Sequence, residues 1–200
     1  MAVFQEEEFY HIYNQGNNKQ TIFLDEGNYA YFLSLAEKLV APKCEIISWC
    51  LMPNHFHLLV KTNSESVRKK SVGSLILTEL SNAIRVLQSN YTLAFNKKNN
   101  RTGSLFRQKF KAKLIDTNND SKYLITCFQY IHQNPLKAGL VQRMEDWKYS
   151  SFSLYKDVSE STFTCVGKGI KYLDLDMELF YYDSYRILDE DLLDKIILED

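Results

Sequence analysis

The segment that most constrains the fold of this 200-residue chain is residues 53–60, Pro-Asn-His-Phe-His-Leu-Leu-Val. Runs rich in β-branched, aromatic and aliphatic residues lie on both sides of its Pro-Asn dipeptide, which predicts two strands joined by a tight turn. Because side chains alternate along a strand, His55 and His57 share one face and their apolar neighbours share the other. The two imidazoles lie about 6.6–7 Å apart, close enough to converge on one metal ion or one phosphate. The alternative is a pair of half-exposed histidines with ordinary hydrogen bonds.

Length and composition describe one globular domain, with 45% hydrophobic and 24% charged residues. No apolar run reaches the ~18–20 residues of a membrane span, and the acidic residues 6–8 are unlike a signal peptide. The cysteines lack a Cys-x-x-Cys spacing, which predicts reduced packing residues; they are Cys44, Cys50, Cys127 and Cys165. We therefore expect a cytoplasmic protein with no membrane partner.

The net charge of −1 conceals an uneven distribution. Residues 174–200 contain ten acidic and two basic residues, whereas the rest of the chain contains 22 basic and 15 acidic residues. A basic body of this kind indicates binding to a polyanion. The acidic segment either shields that body or keeps the protein in solution.

Hydrophobic periodicity predicts the element order strand, helix, hairpin, helix, strand, helix. The polar and basic stretch 63–74 is predicted to be a mobile loop. The other elements are predicted at 9–14, 29–40, 46–61, 76–94 and 106–115, followed by a third helix capped by Ser121.

The predicted strand 106–115 alternates between apolar and cationic side chains. Lysines often protect an edge strand from aggregation, which is one interpretation of the pattern. Four outward cations that follow a basic segment exceed this need, so we predict a track for a nucleic-acid backbone. The track comprises Arg107, Lys109, Lys111 and Lys113, preceded by Lys97, Lys98 and Arg101.

The third helix carries polar side chains beside its apolar stripe, which consists of Leu124, Cys127, Phe128 and Ile131. At 100° per residue, Tyr130 and Asn134 lie together on a flank of this stripe, with Tyr123 two turns earlier. The core therefore does not require Tyr130. Asn134 precedes a proline, and an alternative role for its side chain is to cap a short helix predicted over 135–140.

The last 27 residues are too apolar for a merely solvating acidic tail. Leu188, Leu192 and Ile196 recur at helical spacing, which predicts a terminal amphipathic helix docked on the body or on a second subunit. The acids of this helix either compete with DNA phosphates for the basic track or form a solvated face.

Five blocks of sequence, taken together, resemble the REP-associated tyrosine transposases of the single-tyrosine HUH endonuclease superfamily, which are insertion-sequence-200-like transposases. The resemblance covers about residues 9–155 and leaves 156–200 unmatched. Its blocks occur in order at 13–18, 51–59, 103–108, 130–141 and 147–151.

The resemblance implies an α+β fold, a ferredoxin-like antiparallel sheet with helices packed on it. Residues 1–155 would form the catalytic domain, and 156–200 an acidic C-terminal extension, predicted to be helical and docked. By motif position, His55, His57 and Asn134 would bind Mg²⁺ or Mn²⁺, and Tyr130 would be the nucleophile. The implied reaction cleaves and rejoins single-stranded, hairpin-forming DNA through a covalent 5′-phosphotyrosine.

Two other functions fit the same residues. The chain could be a repeat-hairpin DNA-binding protein with little or no catalysis, although the presence of all four site residues argues against lost activity. It could also be a metal-dependent small-molecule enzyme that uses the two histidines. A DNA-processing role would locate the protein in the cytoplasm at the nucleoid, and the sequence is compatible with either a monomer or a homodimer.

Overall fold

The computed structural model describes residues 2–115, 122–159 and 161–196. The strands are β1 (Phe9–Gln15), β2 (Cys44–Met52), β3 (His55–Thr62), β4 (Lys69–Val72), β5 (Leu75–Thr78) and β6 (Lys111–Ile115). The helices are α1 (Glu26–Leu39), α2 (Ser64–Val67), α3 (Glu79–Lys98), α4 (Lys122–Lys137), α5 (Phe152–Lys156), α6 (Val166–Leu173), α7 (Phe180–Ser184) and α8 (Glu190–Ile196). Short 3-10 helices occur at Asn17–Lys19, Ala41–Lys43 and Met144–Asp146.

The main sheet has four strands in the order β2-β3-β1-β6, and each neighbouring pair is antiparallel. Helix α1 connects β1 to β2, and α3 lies between β3 and β6. This order and connectivity are those of a ferredoxin-like fold, so the predicted α+β class is confirmed. Strands β4 and β5 form a separate hairpin.

The sheet is covered by helices on both faces because its central strands are apolar on both sides. On β3, Phe56, Leu58 and Val60 enter a core shared with α1 and α3. Leu59 points the other way, into a second core shared with α4 and the later helices. The alternation predicted for this strand is therefore confirmed, and it directs both histidines toward the α4 face.

The predictions for residues 63–74 and 106–115 differ from the structure. Instead of a mobile loop, residues 63–74 contain α2 and the strand β4. Asn63 caps α2 by accepting a hydrogen bond from the Ser66 amide. The predicted strand 106–115 forms regular ladder pairs only from Lys111 onward. Before that point the chain keeps an isolated bridge between Phe106 and Gly16 and then leaves the sheet.

Helix α4 continues through Pro135 to Lys137, so the predicted separate helix at 135–140 is wrong. The helix ends because Gly139 adopts a left-handed conformation, with φ of 68°. The Leu140 amide then donates to the Pro135 carbonyl at 2.9 Å, and the Gly139 amide to the Leu136 carbonyl at 3.0 Å. These two bonds form a Schellman motif that satisfies the last free carbonyls. Ser121, the predicted cap, lies outside the described residues.

The C-terminal segment forms three short helices, and the last of them, α8, lies in the region of the predicted terminal helix. Phe180 of α7 is buried in the second core. Helix α8 begins at Glu190, so the buried Leu188 precedes it. All four cysteines are free thiols, as predicted. Within the described ranges, no helix has the length and apolar character needed to cross a membrane.

Candidate active site

Strands β1 and β3 bring three histidines together on the α4 face of the sheet. In the antiparallel register, Tyr13 lies opposite His57 and Gln15 lies opposite His55. His11 lies opposite Leu59 and is therefore a diagonal neighbour of His57 on the same face. The rings of His55 and His57 are perpendicular, with centroids 4.8 Å apart.

His11 and His57 form a buried pair. Nε2 of His11 lies 2.8 Å from Nδ1 of His57, and the two rings stack with centroids 5.0 Å apart. Burial lowers the pKa of His57 well below its usual range, and the nearby imidazoles of His55 and His11 add to this effect. His57 is therefore neutral at physiological pH. Its other nitrogen, Nε2, is buried and has no hydrogen-bond partner among the described residues.

His55 is held by the residue before it. Its Nδ1 lies 2.6 Å from Oδ1 of Asn54. The amide nitrogen of Asn54 donates to the Lys19 carbonyl at 3.3 Å, which directs the amide oxygen toward the imidazole. Because a carbonyl oxygen can only accept, Nδ1 of His55 carries the hydrogen and Nε2 carries the lone pair.

Tyr130 of α4 contacts this histidine group directly. Its ring stands edge-on to His57, with centroids 5.6 Å apart, and edge-on to His11 at 6.0 Å. Tyr123 lies seven residues earlier on the same flank, which is about 10.5 Å along the helix axis. Of the two tyrosines on this flank, Tyr130 is therefore the one that lies beside the histidines.

Asn134 lies one turn beyond Tyr130 on the same flank of α4 and is half-buried. Its amide nitrogen donates to the Tyr130 carbonyl at 2.8 Å. The nitrogen is thereby engaged by the helix backbone, so the side-chain oxygen is the atom available as a ligand.

Helix α4 is fixed by its buried face. The ring of His132 is joined to the hydroxyl of Ser151 at 2.8 Å, and this hydroxyl accepts a hydrogen bond from the Trp49 amide on β2 at 3.0 Å. The next residue, Gln133, donates to the carbonyls of Ser184 and Arg186 at 2.8 and 2.9 Å. These bonds set the rotation of α4 and hence the direction of Tyr130.

Three side chains of the site, two imidazoles and one amide, are of the kinds that bind a divalent ion. Within the described parts of the chain, no three His, Cys, Asp or Glu side chains are arranged to hold one ion. Two imidazoles and an amide oxygen would make a partial ligand set that leaves positions for phosphate oxygens. The partnerless, buried Nε2 of His57 is the atom that such an ion would satisfy.

The cations of the predicted basic track lie in separate parts of the structure. Lys111 and Lys113 lie opposite Tyr13 and His11 on β6, so they face the histidines instead of the solvent side. The Lys111 ammonium lies 6.0 Å from the centre of the Tyr13 ring. Burial lowers the pKa of Lys113, which is half-covered near Cys127 of α4.

The remaining predicted cations lie elsewhere. Arg107 and Lys109 line a groove of about 510 Å³ between α3 and the segment before β6, together with Arg85. Lys98 is paired with Asp25 at 2.7 Å. Arg101 donates to the side chain of Gln20 at 2.7 Å, and Lys97 is exposed at the end of α3.

Sequence reasoning missed His11, Tyr13 and Asn54 as members of the site. Alternation along β1 does put His11 and Tyr13 on one face, but the register that brings them beside His57 cannot be read from spacing. Arg85 was missed because it lies on α3 about three turns before Lys97, and only the packing of α3 brings it beside Arg107 and Lys109.

A ferredoxin-like sheet with paired histidines on a central strand, beneath a helix that carries a tyrosine, is the arrangement implied by the resemblance to single-tyrosine transposases. The family described as "Transposase IS200 like" matches residues 5–134, and the chain belongs to this family. The predicted family relationship is thereby confirmed.

A relative from Haemophilus influenzae, described as a candidate REP-associated tyrosine transposase, is 28% identical over 118 residues. That match covers 57% of this chain and 61% of the relative. A solved structure, described as a REP-associated tyrosine transposase bound to a REP hairpin, has a TM-score of 0.57 at 18% identity. It covers 81% of this chain and 90% of its own, and it shows the shared fold.

Proposed function

We propose that this chain cleaves and rejoins single-stranded DNA beside a hairpin, with Tyr130 as the nucleophile. The observation that carries the proposal is the contact of the Tyr130 ring with His57 and His11. Membership of a transposase family favours a nucleic acid over a small molecule as the substrate.

The reaction is a transesterification with no net loss of phosphodiester bonds. The Tyr130 oxygen attacks a backbone phosphorus, the bond from phosphorus to the 3′ oxygen breaks, and a phosphotyrosine forms at the new 5′ end. The phenolic proton leaves the tyrosine, and the departing 3′ oxygen becomes a hydroxyl. A 3′-hydroxyl of another strand reverses these steps and releases Tyr130 unchanged, so rejoining needs no ATP.

His55, His57 and Asn134 would hold Mg²⁺ or Mn²⁺ at the attacked phosphate. When bound, such an ion polarises the phosphoryl group and stabilises charge in the transition state. Imidazole ligands favour Mn²⁺ in affinity, whereas amide and phosphate oxygens suit both ions. The three histidines and Tyr130 orient one another by ring contact before DNA arrives.

The DNA backbone would follow β6 toward the histidines. Lys111 and Lys113 on this strand are the cations nearest to the histidine face. Arg107 and Lys109 on the preceding segment, with Arg85, would continue the path into the groove beside α3. Lys97, Lys98 and Arg101 would make a smaller contribution, since two of these three already have protein partners.

The choice of hairpin DNA rests on the two relatives, one described as REP-associated and one as bound to a REP hairpin. A protein acting on such repeats would work where the chromosome is, in the cytoplasm. The first substrate to test is therefore a DNA hairpin with a single-stranded flank.

The test is to incubate the full chain with such a hairpin and Mn²⁺ and to look for a covalent adduct on a denaturing gel. The hairpin is labelled at its 3′ end in one sample and at its 5′ end in another. A 5′-phosphotyrosine retains the 3′ label on the protein and releases the 5′ label with a 3′-hydroxyl.

Three outcomes separate the functions. Retention of the 3′ label supports the proposal, and retention of the 5′ label would mean the opposite polarity of attack. A gel shift on the same hairpin without any adduct would support a DNA-binding protein that lacks catalysis.

A further inference from the structure

His11 is the one imidazole in the site that the resemblance does not assign. It lies on β1, is only 1% exposed, and stacks against the rings of both Tyr13 and His57, with centroids 5.0 Å from each. Nε2 of His11 is hydrogen-bonded to Nδ1 of His57, a candidate ligand, at 2.8 Å.

A hydrogen bond between two neutral imidazoles has one donor and one acceptor, so only two arrangements exist. In the first, Nδ1–H of His57 donates to Nε2 of His11, and Nε2 of His57 carries a lone pair. In the second, Nε2–H of His11 donates to Nδ1 of His57, and Nε2 of His57 carries a hydrogen. Only the first arrangement lets His57 bind an ion through Nε2.

The role proposed for His57 requires the first arrangement. Burial does not choose between the two, because neither Nε2 of His57 nor Nδ1 of His11 has a hydrogen-bond acceptor in the described part of the chain, and each arrangement puts a hydrogen on one of them. His55 has the matching arrangement, because its Nδ1 donates to the Asn54 carbonyl oxygen. Both candidate ligands would then offer Nε2 to the same side.

We propose that His11 is a positioning residue that holds His57 in its Nδ1–H tautomer, so that Nε2 of His57 faces the ion. Ligating histidines in proteins are usually fixed through their second nitrogen in this way. The inference rests on the proposed function for the identity of the ligands, but the tautomer itself is a property of the metal-free chain.

The direct test is long-range ¹H–¹⁵N correlation NMR on the full, metal-free chain labelled at histidine. The chain has four histidines, and single substitutions assign their signals. We expect the hydrogen of His57 on Nδ1 in the wild type. In His11→Phe we expect it to shift toward Nε2, the form preferred by a neutral histidine side chain without a hydrogen-bond partner. A wild-type His57 that carries its hydrogen on Nε2 would overturn the proposal.

The second readout is Mn²⁺ affinity measured by calorimetry. Loss of a hydrogen-bonding partner of a ligand typically weakens metal binding by about 10–100-fold, and we expect this for His11→Phe. His11→Gln should recover part of the affinity, because its carbonyl can still accept from His57. The matched control is Tyr91→Phe, since Tyr91 is equally buried but lies in the other core and donates to the Ile22 carbonyl; its Mn²⁺ affinity should equal that of the wild type.

Equal Mn²⁺ affinity in wild type and folded His11→Phe would also overturn the proposal. If His11→Phe does not fold, the wild-type tautomer and the Gln variant still decide the question. A wild type that binds no Mn²⁺ but keeps a His11-dependent Nδ1–H tautomer would contradict the proposed metal site and leave the positioning role of His11 supported.

Discussion

The ring of Tyr130 stands edge-on to the ring of His57, with centroids 5.6 Å apart and planes at 83°. These residues are 73 positions apart in sequence, and they meet because α4 packs across β2 and β3 on the histidine face. The proposed nucleophile thus lies on a helix and the two candidate histidine ligands lie on the sheet, so the packing of α4 on β2 and β3 sets their separation.

Replacing Tyr130 by Phe should abolish the covalent adduct and leave hairpin affinity within about threefold. The substitution removes one hydroxyl from a half-buried ring and keeps the ring contacts with His57 and His11, so stability should change by less than about 1 kcal/mol. Adduct formation on a denaturing gel and hairpin binding by fluorescence anisotropy provide the two measurements.

Tyr123→Phe is the matched control, because Tyr123 lies on the same flank of the same helix. It should form the adduct at the wild-type rate. An adduct that persists in Tyr130→Phe and disappears in Tyr123→Phe would identify the other tyrosine as the nucleophile.

Alternation and helical spacing were sufficient to predict β1, the β2–β3 hairpin, both long helices and the facing of His55 and His57. The order of strands followed from the resemblance, and the structure agrees with it. The angular position of Tyr130 on the helix, beside the apolar stripe, was sufficient to predict that it is not a core residue.

Features that depend on contacts between distant segments could not be predicted. His11 became part of the site through the β1–β3 register, which one strand alone does not specify. The cations on β6 were predicted to face outward, yet this edge strand pairs with β1 and turns Lys111 and Lys113 toward α4. The length of α4 was missed because the helix tolerates Pro135 and ends at Gly139.

Neutralising Lys109, Lys111 and Lys113 together with Gln should weaken hairpin binding and flatten its dependence on salt. Each lost phosphate contact lowers the slope of log K against log salt by about 0.7 for a single strand. The measurement is a series of binding curves from low to moderate salt. Lys98→Gln is the control, because Lys98 is already paired with Asp25 and should leave the slope nearly unchanged.

An unchanged slope in the triple variant would mean that these lysines only protect the edge of the sheet. A larger effect of Lys98→Gln than of the triple variant would move the DNA path to the end of α3.

Gln133→Leu should destabilise the protein by about 1–3 kcal/mol, because it removes the donor from two backbone carbonyls near the end of α7. Urea unfolding measures the loss, and limited proteolysis should show faster cleavage after residue 180. Gln129→Leu is the matched control; Gln129 makes one bond, to the Asp183 carbonyl at 3.1 Å, and should cost less. Equal stability of Gln133→Leu and wild type would show that the C-terminal segment does not restrain α4.

The same packing changes how the role of the acidic segment should be tested. Phe180 packs against Phe152 and Tyr155 in the second core, so removing residues 174–200 would damage that core. Substituting the exposed acids Asp189, Glu190 and Asp191 by amides tests electrostatic competition without this damage. Tighter hairpin binding at low salt that converges with wild type at high salt would support competition with phosphate.

His132 should make the protein less stable as the pH falls. It is fully buried against Phe128 and Phe152, and burial lowers its pKa from 6.5 to about 3. Above pH 6.5 the ring is neutral in both the folded and unfolded states, so it contributes no pH dependence. Between pH 6.5 and 3 only the unfolded chain takes up the proton, and the free energy of unfolding falls by about 1.4 kcal/mol per pH unit from this group.

The measurement is urea unfolding of wild type and His132→Gln at pH 7, 6 and 5. The variant should be less stable at pH 7, because it disturbs the bond to Ser151. From pH 6.5 to 5 it should then lose about 2 kcal/mol less than the wild type. His57 titrates in the same direction in both proteins, so its contribution cancels in the comparison. Parallel stability curves for the two proteins would mean that His132 takes up its proton without unfolding.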